Sequence, residues 1–240
     1  MGTRLVSVVI DANDLEHLSR WWASALGWRV TYESSDEVGF EPADGSPGIE
    51  LTFVPVPEAK RGKNRVHLDL ASGTAAEQAA TVDRLVAAGA KRIAQAPAPW
   101  VVLSDPEGNE LCVLEPRPAE RDTGAVASIV VDVEDPERQA LFWSVATGWP
   151  VVDVQPSAAR LRAPTGRGPF LDLIRVPEPK GVKNRVHLEV APLPGEDLPA
   201  AVARLEEVGA SRAAVGQGPD VSWVVLADPE GQEFCVLSPR

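Results

Sequence analysis

The chain has 240 residues, 44% hydrophobic and 24% charged, which excludes a disordered or collagen-like protein and places it among globular ones. With 23 Lys plus Arg against 35 Asp plus Glu, its formal net charge of -12 argues against nucleic acid or an anionic membrane as the main partner, because phosphate binding needs a positive surface. Two cysteines are too few for a disulfide framework or a structural zinc cage.

The first segment, MGTRLVSVVIDANDL, has a short apolar run broken by Asp11. Neither a signal peptide nor a membrane span is expected there, and no later run approaches about 18 apolar residues. The default expectation is a soluble cytoplasmic protein. Residues 4–11 alternate and are rich in Val and Ile, hence a strand. Asp14 is a plausible N-cap for a helix whose apolar positions Leu15, Leu18, Trp22, Ala25 and Leu26 keep helical spacing, and Gly27 ends it. Short strands fit at 28–33, 37–41 and 48–54, split by the turn signals Ser34-Ser35-Asp36 and Asp44-Gly45. The pattern then restarts with a strand at 66–71, an Ala-rich helix over 74–89, and strands near 91–94, 100–104 and 110–115. Asp105-Pro106-Glu107-Gly108 forms the turn before the last strand.

The chain then repeats itself. VPEAKRGKNRVHLDL (56–70) matches VPEPKGVKNRVHLEV (176–190) at 10 of 15 positions, and WVVLSDPEGNELCVLEP (100–116) matches WVVLADPEGQEFCVLSP (223–239) at 13 of 17. SVVIDANDLEHLSRWWASALGW (7–28) aligns with SIVVDVEDPERQALFWSVATGW (128–149). The same elements recur in the same order, so the chain is an internal duplication joined at the proline-bearing stretch 115–125. Each copy reads as strand–helix–three strands, twice over.

This organisation, with DLE…FW…LGW opening a unit and DPEGNE closing the next, resembles the vicinal oxygen chelate superfamily of glyoxalases, bleomycin-resistance proteins and extradiol dioxygenases. The KNRVHLDL and WVVL(S/A)DPEG(N/Q)E(L/F)CVL segments are most similar to its glyoxalase-like branch. The resemblance implies an α+β fold of four βαβββ units, paired into two glyoxalase-like domains at 1–117 and 124–240. Each domain would be a curved mixed sheet around a cavity with helices outside, and the two would form a pseudo-dimer within one chain, itself a monomer or homodimer. Fold likeness alone does not assign function.

Strand alternation groups the polar residues. His67 and Asp69 share a face, as do His187 and Glu189; so do Ser7 and Asp11, Ser128 and Asp132, Glu110 and Cys112, and Glu233 and Cys235. Family members with a metal usually place a histidine on the first strand, a histidine opening the second unit and a glutamate on the last strand. By resemblance those positions hold Ser7, His67 and Cys112 in the first copy, then Ser128, His187 and Cys235 in the second. Serine is a poor ligand for a divalent ion, and one His with one Cys is a thin set. Asp69 and Glu189 each lie two residues along the strand from their histidine and would have to bend back to share an ion. No metal or other cofactor is therefore expected.

The histidines read either as acid–base partners of Asp69 and Glu189, or as packed rings whose nitrogens meet those carboxylates. Cys112 and Cys235 read either as nucleophiles with His67 and His187 as bases, or as small core residues. Among the recurring tryptophans, Trp22 and Trp143 belong to the helix core, while Trp28, Trp149, Trp100 and Trp223 are candidates to stack on a ligand or to cap the sheet ends. Arg65 and Arg185 could grip an anion or clamp their loop. The leading expectation is a small-molecule-binding protein of sequestration or resistance type without a tightly bound metal. Its ligand would meet Ser7, Asp11, Cys112, Ser128, Asp132 and Cys235 besides the four indoles. The alternative is a lyase or isomerase acting on a small carbonyl or cyclic metabolite, with or without a divalent metal, in which His67/Asp69 or His187/Glu189 carry the proton.

Overall fold

Local signals set where each element starts and stops. The Asp14 side chain accepts the His17 amide and opens helix α1 (Leu15–Leu26), and Gly27 closes it in the left-handed region at φ 67°. The computed structural model describes all residues except 1, 44, 119, 219 and 240, so the Asp44 half of the predicted Asp44-Gly45 turn lies outside the described residues. Around α1 the first unit comprises β1 (Thr3–Ala12), β2 (Trp28–Glu33), β3 (Val38–Pro42) and β4 (Glu50–Pro55). The second unit is β5 (Val66–Leu70), α2 (Ala75–Ala87), β6 (Lys91–Arg92), β7 (Val101–Ser104) and β8 (Glu110–Val113). The third is β9 (Val126–Val133), α3 (Pro136–Thr147), β10 (Val151–Gln155), β11 (Ala158–Arg162) and β12 (Phe170–Arg175). The fourth is β13 (Val186–Pro192), α4 (Leu198–Glu207), β14 (Ser211–Arg212), β15 (Val224–Ala227) and β16 (Glu233–Val236). The four βαβββ units and the α+β class are those implied by the resemblance. Among the described residues no helix is long and apolar enough to cross a membrane.

The units pair into two mixed eight-stranded sheets, ordered β14-β15-β16-β13-β1-β4-β3-β2 and β10-β11-β12-β9-β5-β8-β7-β6. Each sheet joins one unit from each copy, through the antiparallel pairs β1–β13 and β5–β9. This differs from the expectation of one sheet and one cavity within each sequence copy. β5 and β13 carry nearly the same sequence, VHLDL and VHLEV, so strand pattern alone does not distinguish which pairs with β1 and which with β9. Within a copy the units meet through helices and turns instead. Trp21 Nε1 donates to the Ala88 carbonyl at 3.0 Å and Arg84 Nη1 to the Ala25 carbonyl at 3.0 Å, tying α1 to α2. Trp22 and Trp143 are fully buried, and their indoles donate to Asp105 and Asp228 of the two DPEG turns at 3.0 and 3.2 Å.

The KNR segments lock the crossing. Arg185 donates to the Asp11 carbonyl at 2.8 Å, to the Glu58 carbonyl at 2.6 Å and to the Glu107 carboxylate at 3.0 Å, all in the other copy. Arg65 reaches the Asp132 carbonyl at 3.2 Å and the Glu178 carbonyl. Lys183 pairs with Asp11 and Lys63 with Asp132. Of the two readings of these arginines, the backbone clamp is the one present. Gly124, just before β9, has φ 79°, and a Cβ there would land on the Pro47 carbonyl of the other copy, so no larger residue fits.

The clamps are unequal, because the Arg185–Glu107 pair is nearly buried, at 8% and 11% side-chain exposure. Arg185→Ala leaves the Glu107 carboxylate its Asn13 and Asp14 amide donors but removes its buried counter-ion, and should cost about 2–4 kcal/mol in urea unfolding, with Arg65→Ala costing distinctly less. Equal small losses would contradict the clamp.

Candidate functional site

The antiparallel register sets which side chains meet. On β1–β13, Val9 faces His187 and Ser7 faces Glu189, while parallel pairing puts Cys235 of β16 beside Glu189. On β5–β9, Val130 faces His67, Ser128 faces Asp69, and Cys112 of β8 lies beside Asp69. The functional groups therefore sort across the copies. Ser7 belongs with His187, Glu189 and Cys235, and Ser128 with His67, Asp69 and Cys112, which corrects the within-copy sets inferred from the sequence.

Each group forms the floor of a cavity. The β1–β13 cavity has a volume of about 610 Å³ and is lined by His187, Glu189, Cys235, Asp11 and Trp223 among others. The β5–β9 cavity, about 500 Å³, is lined by His67, Asp69, Cys112, Asp132 and Trp100 among others. Trp100 and Trp223 are each 38% exposed. Trp28 and Trp149 line neither cavity. They pack in and against the hydrophobic core, because each follows its helix directly and turns inward. Ser7 and Ser128 are buried beneath the cavity surface, where they position carboxylates.

That positioning distinguishes the two floors. Ser7 Oγ donates to Glu189 Oε2 at 2.6 Å, straight across the β1–β13 pair. Asp69 is one methylene shorter than Glu189, and Ser128 Oγ turns instead to Asp172 Oδ2 of β12 at 2.7 Å. Asp172 is also held by both nitrogens of an Arg160 fork, at 2.6 and 2.7 Å. Arg160 reaches Glu120 of the linker at 2.9 Å, and Glu120 also meets Arg117 at 3.5 Å. In the β1–β13 cavity the equivalent positions are Gly39 and Thr52, paired in register as Arg160 and Asp172 are. The sequence reading missed Arg117, Glu120, Arg160 and Asp172. A signal for Asp172 existed in FLDLIR (170–175), where a carboxylate interrupts the apolar run ahead of Arg175.

Two donor sets are compact enough to share one ion. The candidate ligand atoms of His67, Asp69 and Cys112 lie within 4.8 Å of one another, as do those of His187, Glu189 and Cys235. The carboxylates thus need no bending back, contrary to expectation. The chemistry of the sets is the obstacle. Burial, aided by Glu189, pushes the Cys235 thiol up to about 12, and burial with Asp69 pushes Cys112 up as well. Both thiols stay protonated at neutral pH, unsuited to nucleophilic attack. The serines are engaged with carboxylates. These donors do not fit a hard, oxygen-seeking divalent ion. Only a thiophilic ion suits them, and it would have to expel the thiol proton.

His187 Nε2 lies 3.6 Å from Cys235 Sγ, and in the other cavity His67 Nε2 lies 3.3 Å from Asp69 Oδ1. Burial, with the Lys183 ammonium nearby, lowers the His187 pKa to about 3, so the ring is neutral. An unfolded histidine takes up its proton near pH 6.5, about where the free side chain titrates. Between there and about pH 3 the folded state binds fewer protons, so stability falls as the pH falls. His187→Gln should flatten this acid limb, recovering on the order of 1–3 kcal/mol between pH 7 and 4 after allowing for the ring's residual exposure to the cavity. Urea unfolding at both pH values checks it, and an unchanged slope would contradict the neutral, buried ring.

Glyoxalase I from Zea mays superposes with a TM-score of 0.70 at 16% identity, over 99% of this chain and 92% of that one. A candidate dioxygenase from Bacillus subtilis superposes with a TM-score of 0.65 at 16% identity, over 99% and 86% respectively. At such identities the likeness shows the fold. No curated protein matches the chain by sequence. The glyoxalase-like domain family matches residues 7–114 and again 128–237, once in each copy. The chain belongs to the glyoxalase-like domain family, in tandem.

Proposed function

We propose that the protein binds a small organic molecule in its sheet cavities by hydrogen bonding and stacking, without a tightly bound metal. The observation that carries this reading is the state of the cavity floors. The Cys235 thiol, the His187 ring and a serine-positioned Glu189 offer both donors and acceptors, and the serine on the first strand is spent on the carboxylate rather than left to an ion. The walls are largely apolar, and one indole stands at each cavity, so a ligand with a flat ring would find both a surface and polar anchors.

A second reading rests on the His67–Asp69 contact in the β5–β9 cavity. There His67 would take a proton from a small carbonyl or cyclic substrate and Asp69 would hold the ring in place, as in a lyase or isomerase. Binding by chelator-treated protein would support the first reading. Saturable quenching of Trp fluorescence by small aromatic molecules should survive exhaustive chelation, with Trp223→Phe and Trp100→Phe each removing the share from one cavity. Quenching that appears only after a divalent metal is restored would overturn it.

A further inference from the structure

We propose that the two KNR segments frame a third binding site, for a small polyanion of the polycarboxylate or polyphosphate kind. It lies outside the two sheet cavities and does not depend on what they bind. Between the copies is a chamber of about 540 Å³, lined from the segments 58–65 and 178–185 and by Asp11 and Asp132. Among the described residues, five of the chain's 23 Lys and Arg line it, against four of its 35 Asp and Glu. The acidic balance of the chain is thus reversed locally, where the two copies meet.

Arg65 and Arg185 are spent on their clamps, but three other cations keep donors to spare. Lys63 and Lys183 each have three N–H groups and make one hydrogen bond, to Asp132 and to Asp11. Both aspartates are buried, at 5% side-chain exposure, whereas the lysines are 58% and 42% exposed. The acids therefore lie in the wall and the ammonium groups stand in the chamber. Arg61, also in the lining and exposed, has no hydrogen bond or ion pair among the described residues. Its counterpart in the second copy is Gly181, so the guanidinium enters from one side alone.

Glu58 and Glu178 are the remaining acids of the lining. Both are exposed to water, which screens them, and among the described residues neither pairs with any of the three cations. One ammonium from each copy and a guanidinium beside them suit a guest with more than one group of anionic oxygens. A monoanion has a single charged group to offer three cations, so a polyanion gains more from the same walls. Lys183 and Asp11 also line the β1–β13 cavity, and Lys63 and Asp132 the β5–β9 cavity, so the chamber shares a wall with each.

Calorimetric titration of the intact chain with citrate, pyrophosphate and acetate tests this. Citrate or pyrophosphate should bind as one equivalent at least about tenfold tighter than acetate, and added salt should weaken the binding. The tighter of the two identifies the class of polyanion. Arg61→Gly breaks no hydrogen bond or ion pair among the described residues, so it tests the site without unfolding it, and should weaken binding about threefold or more. Bound polyanion should also shield Lys63 and Lys183 from an amine-acylating reagent, read by peptide mass spectrometry, while Lys91 on β6, outside the lining, stays reactive. Equal affinity for acetate and the polyanions would overturn the proposal. So would an affinity untouched by Arg61→Gly, or equal shielding of all three lysines.

Discussion

The structure depends on the antiparallel pairing of β1 with β13 and of β9 with β5. Each pair brings a strand of one copy beside a strand of the other, and each buries its open edge by doing so. The cavity floors lie across these two seams. Neither Glu189 nor Asp172 would be held as it is without a serine, Ser7 or Ser128, supplied by the first strand of a unit. The arginine clamps and the Lys–Asp pairs sit at the same seams and fix the register from which the floor geometry follows. The same strand pairings thus build both the sheets and the cavity floors.

The duplication supplied two similar scaffolds, and a few side chains made them different. The change from Glu189 to Asp69 shortens one carboxylate by a methylene and frees Ser128 to serve Asp172. Arg160 then follows as the counter-ion that a buried Asp172 requires, and Glu120 and Arg117 extend the network into the linker. The β5–β9 floor is rigidly cross-linked as a result. The β1–β13 floor keeps Gly39 and Thr52 at the matching positions, so no such arginine–aspartate fork forms between them.

Much of this was legible in the sequence, because the signals are local. Asp14 and Gly27 bracket α1, the DPEG aspartates cap their turns, and strand alternation puts His67 with Asp69 and His187 with Glu189 on one face. Which strand fills which edge was not legible, since β5 and β13 carry nearly interchangeable sequences and the choice is made by tertiary packing. The tryptophans illustrate the same limit. Trp100 and Trp223 lie at the cavities as their loop positions suggest, whereas Trp28 and Trp149 turn into the core. Arg160 and Asp172 escape motif reading because each is a single polar residue in an ordinary strand, meaningful only when its partner across the sheet is known.

The central proposal is that the floors bind a small molecule through hydrogen-bonding side chains rather than through a resident ion, with Ser7 and Ser128 spent on carboxylates. Elemental analysis of untagged protein, purified without chelator and dialysed against a thiophilic ion such as zinc, tests it most directly. The account predicts far less than one equivalent retained per chain. One or two equivalents, lost on replacing His67 or His187, would contradict it and make these floors metal centres.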